Sequence, residues 1–438
     1  MPIITLRTLC LALSGCLAVA TPALAAPLLN HQAALELNEA SSAWILTSTA
    51  LVLLMTLPGL AMFYGGMVRR KNIISTIAQS TAALAIVTVL WFAVGYSLSF
   101  GTGPEATNGF VGGLQAVLLN GVGTGTAHSL APGLPEFLWI AYQLTFAIIT
   151  PALIAGAFAE RMKFSATILF FVLWHLIVYA PICHQVWGGG WMGSLGVLDF
   201  AGGAVVHVNA GIAGLVCALV MGPRHGFGRD NMAPHNLAFT AIGTGLLLVG
   251  WLGFNGGSAW AADGIAAVAA FNTLLAAAAA AIGWTAIEWF DHKRPTLLGM
   301  LSGVVAGLVG ITPAAGFVDP KGAFLIGILS GPACYAGAVW LKRALKYDDS
   351  LDAFGVHGVG GIVGALLTGV FASAAINPVG EGANILNQAI GLAAVIAWSG
   401  IGTWIILMIC KFTTGLRVSR EDEIEGLDYT QHGESIHQ

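Results

Sequence analysis

The chain has 438 residues, of which 57% are hydrophobic and only 9% are charged. Soluble domains carry about 25% charged residues, so this composition excludes an ordinary soluble globular domain and predicts a protein that is solvated by lipid. The formal net charge of −4 is too small to indicate a nucleic-acid partner, and none is predicted.

The N-terminal segment, residues 1–25, resembles a secretory signal peptide. Arg7 is its only positive charge, an apolar run follows, and the tripeptide Ala23-Leu-Ala25 provides a cleavage site of the small-x-small type. Two alternatives remain open from the residues alone. The segment could be processed as a lipoprotein at Cys16, or it could be retained as a helix.

Eleven apolar runs are long enough to span a membrane. A bilayer core about 30 Å thick needs about 20 apolar residues per helix. The fold is therefore predicted to be an all-α integral membrane domain, residues 26–412, followed by a polar tail, residues 413–438. The predicted transmembrane helices cover residues 43–68, 73–99, 137–159, 165–184, 200–221, 237–256, 264–289, 297–316, 322–341, 353–375 and 387–410.

The basic residues indicate how these helices are oriented. Of the 17 Lys and Arg residues, Arg7 precedes the first helix, and all the others except Lys321 fall in segments that eleven spans place on one side. Cytoplasmic loops collect Lys and Arg, so this side should be the cytoplasm. The pattern predicts a multi-pass protein of the bacterial inner membrane, with the N-terminus in the periplasm and the C-terminus in the cytoplasm.

An internal repeat carries two histidines. The pattern His-x-x-x-Gly-Ile-x-Gly begins at His207 and again at His357, and each copy follows an aspartate, Asp199 or Asp352, that is a candidate helix N-cap. Eleven spans make the copies antiparallel, and a rise of about 1.5 Å per residue brings both histidines towards mid-membrane. This predicts a five-plus-five inverted repeat plus one extra helix, an architecture typical of transporters.

Five longer motifs resemble those of the ammonium transporter (Amt/Mep/Rh) family, and bacterial Amt proteins most closely. They begin at Pro58, Ala157, Asp199, Gly250 and Phe354, and they read PGLAMFYGG, AFAER, DFAGG, GWLGFN and FGVHG. The similarity runs from about residue 43 to the tail. It implies transport of ammonium or ammonia across the membrane without a cofactor. No nucleophile–base constellation is present in the sequence, so an enzyme is not predicted.

The resemblance also implies an outer site for the ammonium ion. Its residues would be Trp187, Phe146 and Ser258, with Tyr142 nearby at a position where relatives often carry Phe. A cation over an aromatic face gains about 0.5–2 kcal/mol, and the hydroxyl can accept an N–H bond. Phe146 and Phe254 would then form a stacked gate below this site.

Below the gate, His207 and His357 would form a pore pair. Two neutral imidazoles can satisfy one another at membrane depth, where an unpaired ionisable group is costly. A zinc site is not predicted, because two ligands are too few. Besides capping a helix, Asp199 would stabilise the bound cation over a longer distance. The residues leave net charge transfer and neutral ammonia conduction equally open.

The tail resembles the regulatory tail of the family. Segments beginning at Gly415 and Glu425 match it, whereas Ile436-His437 departs from the usual ending. The resemblance implies a homotrimer in membrane lipid and a PII-type regulatory protein on the cytoplasmic side. An ammonium sensor that signals through its cytoplasmic face is the main alternative. A channel for water or urea is a third reading, which the paired histidines disfavour.

Overall fold

The structure is a computed structural model that describes residues 31–436. The predicted signal peptide lies outside the described residues. Within the described part, ten helices are long and apolar enough to cross a membrane, and α8 is a shorter apolar helix of 15 residues. In chain order the helices are α1 Glu39–Met67, α2 Arg70–Phe100, α3 Glu136–Phe158, α4 Phe164–Ser194, α5 Gly203–Met221, α6 Leu237–Gly257, α7 Gly264–His292, α8 Leu297–Ile311, α9 Pro320–Leu345, α10 Phe354–Phe371, α11 Ile385–Thr413, α12 Arg420–Glu425 and α13 Leu427–His432.

The predicted spans therefore coincide with helices, and the main difference concerns the eighth. It was expected to cover residues 297–316, but α8 ends at Ile311. Pro313 follows, and a proline has no backbone N–H with which to continue a helix. The chain after α8 turns back into the bundle, where the Pro313 carbonyl accepts a hydrogen bond from the Phe200 backbone N–H at 3.1 Å.

Side-chain caps start several of these helices. Asn236 accepts hydrogen bonds from the backbone N–H groups of Ala238 and Phe239, and Thr296 caps α8 in the same way at Gly299. A short antiparallel sheet, β1 Gln32–Ala34 with β2 Thr126–His128, lies where α2 ends and α3 begins. We call this end of the bundle the vestibule end, and the opposite end, where α12 and α13 pack, the tail end.

The two histidine helices, α5 and α10, cross closely because each carries a glycine four residues after its histidine. A Cβ on Gly211 would collide with the backbone of Gly358, and one on Gly361 would lie 2.8 Å from the Gly203 carbonyl oxygen. Close backbone approach through small residues is the usual way in which helices associate inside membranes. In both helices the histidine lies within a π-helical first turn, so the internal repeat of the sequence is also a repeat of local structure.

The structure corrects the predicted N-cap of α10. Asp199 accepts backbone N–H groups at the start of α5, as expected of a cap. Asp352 has no such role at α10, because its carboxylate pairs with Lys342 and its own φ is +59°. Asp349 is the cap, with hydrogen bonds from Ala353 and Phe354 at 3.1 and 2.8 Å.

The repeat register explains this correction. Asp199 lies eight residues before His207, and Asp349 lies eight residues before His357. The counterpart of Asp352 is Gly202, which is also in the left-handed region, at φ +107°. The two pore helices thus start with the same geometry, a capping carboxylate followed three residues later by a left-handed residue.

A buried ion-pair network joins the loops at the tail end. Arg69 donates to Glu160 at 2.6 Å, and Glu160 lies 3.6 Å from Arg224. The Arg224 guanidinium donates two hydrogen bonds to the Asp348 carboxylate, at 2.8 and 2.9 Å, in a bidentate ion pair. Arg161, which is fully buried, donates to the Asp348 carbonyl at 2.6 Å. These contacts connect the loops of both halves of the repeat.

The C-terminal tail packs directly onto this network. The Val418 backbone N–H donates to the Arg161 carbonyl at 3.1 Å, and the Arg417 guanidinium donates to Glu423 at 2.7 Å. Glu423 also accepts the backbone N–H of His225 at 2.5 Å. Residues 417–423 of the tail are therefore held against the loops at the tail end of the bundle.

Candidate functional site

A cavity of about 650 Å³ opens at the vestibule end. Three residues that the sequence placed in an outer site line it: Trp187, Phe146 and Ser258. They come from the break in α4 after Val186, from α3, and from the end of α6. The Phe146 and Trp187 rings meet in a T-shaped contact, with centroids 5.7 Å apart and planes at 86°. The structure thus brings this predicted group together on one surface.

The hydrogen bonds of Ser258 leave it able to accept one more. Its hydroxyl donates to the Phe254 carbonyl at 2.8 Å, within the last turn of α6. A hydroxyl has one proton and two acceptor positions, so its proton is used internally while its lone pairs remain available. A positively charged ligand in the cavity, which needs acceptors, is the complement of this arrangement.

Tyr142 lies behind the cavity wall and is fully buried. Its hydroxyl is 2.8 and 2.7 Å from the carbonyl oxygens of Gly253 and Phe254, and 3.4 Å from the Ser258 hydroxyl. Its ring contacts that of Phe146 at 5.1 Å. Tyr142 therefore contacts Phe146 and Ser258 from behind and does not itself line the cavity.

Asp199 lies at the edge of the cavity and is almost completely buried. Its two carboxylate oxygens accept four consecutive backbone N–H groups, those of residues 202 to 205, at 2.6 to 3.0 Å. Burial raises the pKa of Asp199 above its usual value of 3.8, while these four hydrogen bonds act in the opposite direction. The Asp199 carbonyl also accepts the Trp187 indole N–H at 2.8 Å, so this residue holds both the helix start and a cavity wall.

The Phe146 ring leads from the cavity towards the histidines. It stacks on Phe254, with centroids 4.3 Å apart and planes at 29°. The Phe254 ring is in turn 6.0 Å from the ring of His207. Both phenylalanines are buried, so the two rings separate the open cavity from the histidine pair.

His207 and His357 face one another inside the bundle. Their Nδ1 atoms are 3.2 Å apart and their rings are nearly parallel, at 14°. One Nδ1 must donate and the other must accept, which fixes opposite tautomers when both rings are neutral. The Nε2 atom of His207 is buried and has no hydrogen-bond partner among the described residues. A buried nitrogen of this kind can donate to or accept from a small polar ligand.

Trp251 is a site residue to which the sequence reasoning gave no role. Its ring stacks on His207 with centroids 5.2 Å apart and planes at 16°, and its indole N–H donates to the Thr312 hydroxyl at 2.8 Å. A signal was present in the sequence, because Trp251 lies three residues before Phe254 and positions three apart share one face of a helix. Thr312 directly follows α8, so this hydrogen bond connects the chain after α8 to the histidine site.

A second cavity, of about 280 Å³, opens at the tail end beside the Lys342–Asp352 pair. Asp349 lies next to it and is buried. Burial, with the neighbouring charge of Asp352, raises the pKa of Asp349 from 3.8 to about 6, although Lys342 opposes the shift. The start of α10 therefore carries a carboxyl group whose pKa is raised to about 6.

This raised pKa predicts a specific pH dependence of stability. Between pH 3.8 and about 6, folded Asp349 holds a proton that the unfolded chain has released, so its contribution to the free energy of unfolding falls as pH rises through that window. We expect the difference in thermal midpoint between the unaltered protein and Asp349→Asn to change across this window and to be constant above it. Asp319→Asn, at the cap of α9, is the control. An equal pH profile for all three proteins would contradict the prediction.

A cavity at one end of a bundle of apolar helices, closed by stacked aromatic rings above a buried histidine pair, defines a multi-pass membrane protein with a polar site in its interior. The sequence profile of the Ammonium Transporter Family matches residues 43–436. The ammonium transporter of Bacillus subtilis is 48% identical to this chain over 397 residues, which cover 89% of this chain and 96% of that protein. The chain belongs to the Ammonium Transporter Family, as its motifs predicted.

Solved structures agree with this membership. The crystal structure of Saccharomyces cerevisiae Mep2 matches with a TM-score of 0.81 at 37% identity, covering 88% of this chain and 91% of that one. A structure described as a sensor Amt protein matches with a TM-score of 0.82 at 28% identity, covering 90% of this chain and 98% of that one. The same fold is thus found in a protein named as a sensor.

Proposed function

We propose that this protein binds the ammonium ion in the vestibule cavity, removes one proton, and conducts ammonia past His207 and His357. The observation that carries the proposal is the order of the groups along one line of contacts. An aromatic and hydroxyl-lined cavity comes first, the stacked Phe146 and Phe254 rings follow, and the buried histidine pair lies beyond them.

The cavity walls suit a small cation that donates hydrogen bonds. The Trp187 and Phe146 rings offer their negative faces, and a cation–π contact is worth about 0.5–2 kcal/mol. The Ser258 hydroxyl, whose own proton is already used, accepts one N–H of the ion. Potassium has no N–H to donate and finds too few oxygen ligands here to replace its water. The carboxylate of Asp199 adds negative charge at the edge of the cavity.

Deprotonation follows from the cost of moving a charge further. Transfer of an isolated ion into an apolar environment is expensive, whereas ammonia is neutral. Ammonia can pass between the aromatic rings and then hydrogen-bond to the histidine nitrogens, of which Nε2 of His207 has no partner among the described residues. The proton either returns to the vestibule side or is accepted by the histidine pair and crosses separately, and these two routes differ in whether a current flows.

The remaining features of the proposal concern topology and assembly. We infer that α1 to α11 all span a bacterial inner membrane, with the vestibule end in the periplasm and the tail end in the cytoplasm. The basic loops around Arg69, Arg161 and Arg224 support this orientation, since they meet at the tail end. A homotrimer and a PII-type partner at the tail end are part of the same proposal, on the family resemblance.

The first test is transport by the purified protein in liposomes. We expect a saturable current on a jump in ammonium concentration and none on an equal jump in potassium. A change of luminal pH without a current would establish neutral ammonia conduction instead. Neither a current nor a pH change would reject transport and would favour the sensor alternative, for which the sensor Amt structure provides a precedent in this fold.

A further inference from the structure

One face of α3 carries an acceptor that the site described so far does not use. Trp139, Gln143 and Phe146 lie at helical spacing, so they share that face, and all three line the vestibule cavity. The Oε1 atom of Gln143 is buried and has no hydrogen-bond partner among the described residues, and the residue as a whole is only 3% exposed. A buried acceptor without a partner is unfavourable, so a ligand that donates to it is expected.

A residue in a strained conformation packs against this face. Trp260, two positions after Ser258, has φ +60°, a left-handed backbone that is unfavourable for any side chain with a Cβ. Strain of this kind persists where the surroundings enforce it and is concentrated at functional sites. The Trp260 ring lines the cavity and is half-buried.

The strained tryptophan is held in place by other rings. Its centroid is 4.0 Å from that of Trp139 and 5.1 Å from that of Tyr142. Trp139 is itself stacked on His128 at 4.5 Å, with planes at 3°, so one of its faces is covered from the loop side. Trp139 therefore packs between His128 and Trp260 and is almost fully buried, whereas the Trp260 ring remains partly exposed to the cavity.

We propose that Gln143 and Trp260 form a second recruitment site for ammonium in the vestibule cavity, ahead of the stacked Phe146 and Phe254 rings. The Gln143 amide oxygen accepts one N–H, and the Trp260 ring provides a cation–π contact. This inference rests on the proposed function and adds two residues to it. Gln143 lies about one helical turn from Phe146 towards the cavity mouth, so the ion meets this pair ahead of the aromatic gate.

A trapped water molecule is the alternative ligand for the Gln143 amide oxygen. Substitutions that change the KM for ammonium distinguish a water molecule from an ammonium ion at this position. In liposomes, Gln143→Met keeps the size of the side chain but removes the acceptor. We expect it to raise the KM for ammonium roughly tenfold with an unchanged maximal rate. Trp260→Leu should raise the KM about threefold to thirtyfold, and Trp260→Phe should fall between Trp260→Leu and the unaltered protein, because a phenyl ring binds cations less strongly than indole.

The control is Trp289→Leu, at an exposed position near the end of α7, which should leave the KM unchanged. An unchanged KM in all three site variants of a transporting protein would reject this inference alone and assign Gln143 to water. A lower maximal rate with an unchanged KM would also reject it, since it would show support of the fold only. Failure of the unaltered protein to transport ammonium would reject the proposed function and this inference together.

Discussion

Replacing His207 and His357 together by alanine should lower the rate of ammonia conduction by about two orders of magnitude or more, because positioned proton-transfer groups typically contribute 10²- to 10⁴-fold. The pair is buried, and the two Nδ1 atoms are 3.2 Å apart. Without it, the segment below Phe254 keeps no imidazole that can accept a proton or hydrogen-bond ammonia. Initial rates in proteoliposomes, measured as current and as luminal pH change, would test this.

Binding in the vestibule should survive, because the histidines lie beyond the aromatic rings. It can be followed separately as the rise in thermal midpoint that ammonium produces by mass action. Each single variant should lose nearly as much rate as the double variant, since the two rings act as one unit. His292→Ala, a partly exposed histidine at the end of α7, is the matched control. Normal conduction by the double variant would end the assignment of proton handling to this pair.

The sequence predicted most of this fold because membrane insertion depends on local composition. Each apolar run of about 20 residues must be helical in lipid, whatever its neighbours are. The prediction was wrong about the end of α8, because the apolar run there contains a proline. The run continues to residue 316, but Pro313 interrupts the hydrogen bonding, and the remaining residues pack inside the bundle.

The histidine pair could be predicted because the repeat encodes it twice. Gly211 and Gly361, each four residues after a histidine, allow α5 and α10 to approach closely. The spacing that marks the repeat in the sequence therefore also brings the two histidines into contact. The cap of α10 was assigned wrongly to Asp352 because the nearest aspartate was chosen over the repeat register. Counting eight residues back from His357, as from His207 to Asp199, identifies Asp349.

The rest of the site depends on contacts that no local pattern records. Trp260 lines the cavity with a left-handed backbone, and its ring packs on Trp139 and Tyr142, which are distant in the sequence. Likewise, the open acceptor of Ser258 follows from where its proton goes, to the Phe254 carbonyl. The Trp260 contacts join segments more than 100 residues apart in the chain, and the Ser258 hydrogen bond is one of several that a hydroxyl at a helix end could form.

Replacing Asp348 by alanine should destabilise the protein strongly, because Asp348 is the bidentate partner of the buried Arg224 guanidinium. It would leave Arg224 buried with only the 3.6 Å contact to Glu160, and breaking a buried ion pair by removing one partner costs about 3–5 kcal/mol. Burial opposes ionisation of Asp348, but the hydrogen bonds and charge of Arg224 outweigh it and hold the pKa of Asp348 below 3.8. The pair is therefore ionised at neutral pH, and its stabilisation is lost only as pH falls below that value.

The thermal midpoint of the purified protein should fall by several degrees in Asp348→Ala and by less in Asp348→Asn, which keeps a hydrogen-bond acceptor. Glu425→Ala, an exposed carboxylate of α12, should have almost no effect. Removing Arg224 as well, in the double variant Asp348→Ala with Arg224→Met, should recover part of the loss, because the buried unpaired charge is then gone. Because the tail packs on Arg161, limited proteolysis should cut it faster in Asp348→Ala than in Glu425→Ala. A midpoint in Asp348→Ala equal to that of the control would show that the network contributes nothing to stability and only happens to lie beneath the tail.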